Sequence, residues 1–214
     1  MTRKLLFVEL FFMAAAIIAT ALIGPHLPAR VPTHWGLGGQ PNGFSPRSAL
    51  WFFGPGMLAA TMALTSALPW LSPRRFEVSG FRSAYGFIMG CVFFLLAYIY
   101  GVMLWADSGH RLDIARAILG GVCLFFVVFG NVVSKVRRNF FIGVRTPWTL
   151  ANERVWYATH RFAAKCFVAA GLVGMVLALA GVQFGPIAAV LAGALAPVIY
   201  SLVYYKHLEH SGEL

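Results

Sequence analysis

LLFVELFFMAAAIIATALIG, residues 5–24, decides the class of this protein. A helix needs about 20 mostly apolar residues to cross a bilayer core, and this run has that length with one charge, Glu9. Comparable runs follow at about 49–71, 83–106, 112–134, 162–181 and 184–205. The 214 residues are 59% hydrophobic and only 11% charged, against about 25% charged in soluble domains. The expectation is an all-α integral membrane protein with six transmembrane helices.

The edges of the first run support a retained span. Ala19-Thr20-Ala21 imitates a cleavage site, but the run exceeds the roughly 7–15 apolar residues of a signal peptide and contains an acid. Glu9 is a carboxylate that pairs with a cation, with Arg82 and Arg161 at matching span ends, or an acid that marks a site.

Residues 25–48 hold five prolines and four glycines, which stop the helix and predict a rigid, turn-rich loop with a turn at Pro41-Asn42-Gly43. His34-Trp35 within it reads as an interfacial anchor or a recognition surface. Gly54-Pro55-Gly56 predicts a kink in the second span. Asp113 and Arg116 are spaced for an ion pair one turn apart. Ala170, Gly174 and Ala178, with Gly185, Ala189 and Gly193, form small-residue stripes suited to close packing of the last two helices. Two regions are expected, a two-span region at 1–71 and a four-span region at 72–214.

Net charge is +10, and its distribution argues for membrane orientation over nucleic-acid binding, since no nucleic-acid motif accompanies it. Of the 17 Lys and Arg residues, only Arg30, Arg47, Arg111 and Arg116 fall on the same side of the spans as the Pro-rich loop. The other side carries the remaining 13, which places both termini in the cytoplasm. The three cysteines lie in apolar runs without metal spacing, and no cofactor or metal is expected.

Residues 130–161 concentrate six Lys and Arg with Trp148 and Trp156 between two spans. If the fourth span stays helical, Asn131, Lys135 and Arg138 share a face. Pro147 then breaks the helix, and Thr149 or Asn152 caps its restart. An interface-lying connector anchored by tryptophans is one reading. The other is a cytoplasmic docking surface or a polar pocket of Asn131, Arg145, Glu153 and His160. No nucleophile–base pair, carboxylate pair or phosphate loop is present, so the chain is not read as an enzyme.

Gly130-Asn131, Asn139, Gly143-Val144-Arg145-Thr146-Pro147-Trp148-Thr149, Trp156 and Thr159-His160-Arg161 together resemble the signature of the SdpI family of bacterial toxin-immunity membrane proteins. Pro28, Val31-Pro32, His34-Trp35 and Gly39 to Gly43 resemble the small N-terminal domain of unknown function that accompanies it. Here Arg137-Arg138 precede Asn139, where family members carry Pro. The resemblance implies a multi-pass protein of the bacterial cytoplasmic membrane. It would guard against a secreted peptide toxin on the outer side and hold a cytoplasmic repressor on the inner side. A small transporter or channel, motivated by Glu9 and Pro55, is the alternative. Partners are therefore the lipid bilayer, a peptide toxin and a cytoplasmic regulator, with no nucleic acid.

Overall fold

The computed structural model describes residues 3–36, 38–72 and 78–214. The basic loop residues Arg74 and Arg75 lie outside the described residues. Six helical segments are long and apolar enough to span a membrane. They are α1 (Arg3–Ile23), a segment whose π-helical turn Phe52–Gly56 runs into α2 (Met57–Leu71), α3 (Arg82–Asp107), α4 (Ile114–Val133), α6 (Glu153–Leu179) and α7 (Gly185–His210). The short α5 (Pro147–Ala151) sits between α4 and α6.

The helices pack as two groups of three. α1 and α2 lean on α3, while α4, α6 and α7 form the second group, and α3 against α4 joins them. In the second group Gly193 packs α7 closely on α6 as expected, whereas Gly174 makes its closest approach to α4. A Cβ on Gly193 would overlap the Ala170 side chain, and one on Gly174 would sit 2.7 Å from Cys123 Sγ. Backbones therefore approach at distances that larger side chains forbid.

The Pro-rich loop is not merely a chain of turns. Arg30–Trp35 forms β1 and Pro41–Pro46 forms β2, an antiparallel hairpin with Val31 opposite Ser45 and His34 opposite Gly43. A hairpin forms because alternation divides the strand: Val31 is fully buried on the helices, whereas His34 faces out. Pro41 and Pro46 sit at strand ends, while Pro32 stands inside β1 opposite Phe44, tolerated because both strands of a two-stranded sheet are edges. Arg47 fastens the hairpin by donating to the carbonyls of Pro25 (2.8 Å) and Leu27 (2.9 Å).

The predicted kink at Pro55 is a π-helical turn. The missing proline N–H and the neighbouring glycines let one wide turn form, which seats Gly54 directly on the Tyr100 ring. At the α3–α4 corner Asp113 caps α4 through Arg116 N–H (3.0 Å) and pairs with the Arg116 guanidinium (3.3 Å). α6 begins nine residues before the apolar run, so its first turns carry polar residues into the packed interior.

Candidate functional site: a polar knot between two spans

α4 does not continue past the polar boundary, so Asn131, Lys135 and Arg138 do not form a helical stripe. It ends at Val133, with Lys135 N–H bonded to Val132 O (2.9 Å) and Val136 N–H to Val133 O (3.2 Å). The chain then folds around Asn139, whose side chain is fully buried. Its Oδ1 accepts the N–H groups of Phe141 (2.7 Å) and Ile142 (2.8 Å), and its Nδ2 donates to the carbonyls of Arg137 (2.8 Å) and Ile142 (3.0 Å). One amide thus uses both lone pairs and both protons. This closes the bend between α4 and Gly143.

Gly143 follows with φ +114°, a backbone angle that L side chains resist. A Cβ there would stand directly in front of His160 Nε2, well inside van der Waals contact. The space is needed because His160 Nε2 accepts Val144 N–H (3.1 Å) while Nδ1 donates to Trp156 O (2.8 Å). Only the neutral imidazole with its proton on Nδ1 satisfies both partners. Trp156 stacks on this ring with centroids 4.0 Å apart and donates its indole N–H to Val136 O (2.8 Å).

Thr146 caps α5 in a reciprocal box with Thr149. Thr146 N–H donates to Thr149 Oγ1 (2.9 Å), and Thr149 N–H donates to Thr146 Oγ1 (3.2 Å). Thr149 Oγ1 donates to Val144 O (2.9 Å). Ser201 of α7 commits its proton to Val198 O (2.6 Å), so Thr146 donates to Ser201 Oγ across 3.0 Å. Asn152 then caps α6 through Arg154 and Val155 N–H. Thus Thr146, not Thr149, is the first cap, and Asn152 restarts the long helix as expected.

The signature residues therefore separate by what they face. Asn139, Thr149, Trp156 and His160 are fully buried and Thr146 nearly so, and their polar atoms are spent on the knot itself. Arg145, Pro147 and Arg161 are exposed, Trp148 is half-buried, and Arg145 reaches back to Phe140 O. The pocket of Asn131, Arg145, Glu153 and His160 is not assembled. Asn131 is exposed and bonded to Val127 O of its own helix (2.7 Å), Glu153 is exposed, and His160 is sealed inside. Trp156 is a core residue, so it does not act as an interfacial anchor.

On the other face, His34 Nδ1 meets Asn42 Oδ1 at 2.5 Å on the exposed hairpin surface, with Phe44 half exposed beside them. Trp35 turns instead toward the helix core containing Leu27, Val31 and Met103. Glu9 is fully buried in the first helix group, and its proposed partners Arg82 and Arg161 are both exposed. Both Glu9 oxygens lack a hydrogen-bond partner among the described residues. Sequence reasoning did not single out Ser201, nor the buried hydroxyls Thr61, Thr65, Tyr85 and Tyr100. The four-residue spacing of Thr61 and Thr65 was the available signal.

Fold and site define a six-span helical membrane protein with a small hairpin on one face and a self-bonded polar knot on the other. Residues 135–202 match the SdpI/YfhL protein family and residues 11–59 match a domain of unknown function, DUF1648. It is 26% identical to the Immunity protein SdpI of Bacillus subtilis (strain 168) over 208 residues, covering 95% of this chain and 97% of that protein. No solved structure matches the chain.

Proposed function

We propose that this chain is an immunity protein of a bacterial cytoplasmic membrane that protects its cell from a secreted peptide toxin. The observation that carries the reading is the similarity to the Immunity protein SdpI, which extends over both the hairpin and the knot. The 13-to-4 distribution of Lys and Arg supports a cytoplasmic knot and an outer hairpin. In this arrangement residues 1–71 meet the toxin through the exposed His34, Asn42 and Phe44. The 72–214 region presents Arg145, Arg161 and Trp148 to a cytoplasmic regulator, a repressor held at the membrane. The knot is suited to that work because its buried bonds fix the backbone from which the exposed cations project. Binding, not turnover, is the proposed activity.

Expression in a toxin-sensitive host tests the reading: survival should rise with the unmodified chain and not with an empty vector. Arg145→Ala and Trp148→Ala should lose regulator recruitment while keeping membrane levels. Intact recruitment and resistance in both variants would remove the knot surface from the mechanism. A second reading, a small transporter or channel, is favoured by the unpartnered Glu9 inside the bundle. Flux in proteoliposomes that Glu9→Gln abolishes would support it.

A further inference from the structure

Glu9 occupies a place whose chemistry can be worked out from its neighbours. Leu5, one turn earlier, rests on the Gly86 and Gly90 positions of α3, so α1 lies close against that helix. Thr20 of α1 bonds Tyr100 of α3 at 2.5 Å, and Gly54 of the π-turn sits on the same Tyr100 ring. Glu9 is 11 residues from Thr20, and Thr65 is 11 residues from Gly54. At about 1.5 Å per residue, both lie roughly 16 Å from the Tyr100 level, hence at one depth. Tyr85 reaches that depth too, since its hydroxyl bonds Thr65 O at 2.7 Å, and it lies within electrostatic range of Glu9.

The hydroxyl protons of Thr65 and Tyr85 at this level, and of Thr61 one turn toward the hairpin, are already committed. Thr61 Oγ1 donates to Met57 O (2.8 Å), Thr65 Oγ1 to Thr61 O (2.8 Å) and Tyr85 Oη to Thr65 O. What remains toward the bundle interior is oxygen lone pairs, which offer a carboxylate no donor. Arg3 and Arg82, at the ends of α1 and α3 here, and Arg137, which packs on Gly80, are all exposed. On the far side, the buried Ala16, Leu58 and Phe93 separate this level from the Thr20–Tyr100 pair. An ionised carboxylate so enclosed must hold a positive species, because desolvation without a partner is prohibitive.

We propose that Glu9, with the hydroxyl oxygens of Thr65 and Tyr85 at its depth, forms a monovalent-cation site in the α1–α3 bundle, occupied by a proton or by a sodium ion in its place. The apolar layer of Leu58 and Phe93 closes it toward the hairpin side, so exchange occurs from the knot side. The site requires binding only and stands whether or not the protein transports.

Infrared difference spectroscopy of the full chain in liposomes tests this. In sodium-free buffer at neutral pH, unmodified protein minus Glu9→Gln should show the carbonyl band of a protonated carboxylic acid. Carbon-13-labelled glutamate in the unmodified protein should shift the same band, which keeps the test valid if Glu9→Gln folds poorly. Added sodium chloride, compared with choline chloride, separates the occupants: conversion to carboxylate bands identifies sodium exchange, and an unchanged band identifies a proton alone. Carboxylate bands already present without sodium would mean an ion-paired Glu9 and would overturn the proposal. Absence of flux would refute the transport reading while leaving the site intact.

Discussion

Replacing Gly143 with Ala adds one methyl group where the knot has no room. Alanine at φ +114° carries backbone strain of about 1–3 kcal/mol. Its Cβ would also press against His160 Nε2, well inside van der Waals contact. The imidazole cannot swing aside cheaply, because it is fully buried, stacked on Trp156 and tied to Trp156 O. Moving it abandons the Val144 N–H, and leaving a buried donor unsatisfied adds about 1–3 kcal/mol. The local cost is therefore about 2–6 kcal/mol, or roughly 30-fold to 10⁴-fold in the opening equilibrium at 1.4 kcal/mol per tenfold. Hydrogen exchange at the Phe141, Ile142 and Val144 amides reads this opening directly. Gly109→Ala is the control: Gly109 also has positive φ, +85°, but a Cβ there meets nothing within 4 Å. It should leave exchange in the knot unchanged. If Gly143→Ala exchanges at the wild-type rate in the knot, the Val144–His160 geometry is wrong.

Gly54→Ala should destabilise the first helix group by several kcal/mol, since its Cβ would enter the Tyr100 ring; a melting midpoint equal to wild type would refute the contact. Gly193→Ile should separate α6 from α7, because even a Cβ overlaps Ala170, and a sharp fall in folded yield after detergent extraction checks it. The tail carries a pH effect: Arg154 donates to Glu213 at 2.9 Å, and this hydrogen bond and charge hold the Glu213 carboxyl below the usual value of about 4.3. Tail docking is thus complete above that range and lost as pH falls through the lowered value. Spin-label mobility at the tail should rise only below it, and only modestly, because both partners are exposed.

The candidate site was legible as a set of residues but not in its roles. Asn139, Gly143, Thr146, Thr149, Trp156 and His160 stood out through the signature, yet their side chains build the knot and do not face a ligand. Nothing in the spacing of His160 from Gly143 reveals that one ring fills the place of a missing methyl group. That relation exists only once α6 folds back beside the loop. The hairpin was missed for a related reason, since prolines and glycines advertise turns while strand pairing depends on two segments meeting. The Asp113–Arg116 pair and the Asn152 cap were readable because both bonds join residues within one turn.

The sequence alone determined membrane residence and the six spans, because the free energy of moving an apolar run into lipid is additive along the run. It also determined the caps at Asp113 and Asn152, since capping side chains act on their own backbone. Only the tertiary structure decided which polar groups turn inward. Glu9 and Arg82 are both charged residues near span ends, yet one is sealed and the other exposed. Burial belongs to the neighbours that a residue acquires in the fold, and so does the chemistry of a knot in which every donor of Asn139 has already found its acceptor.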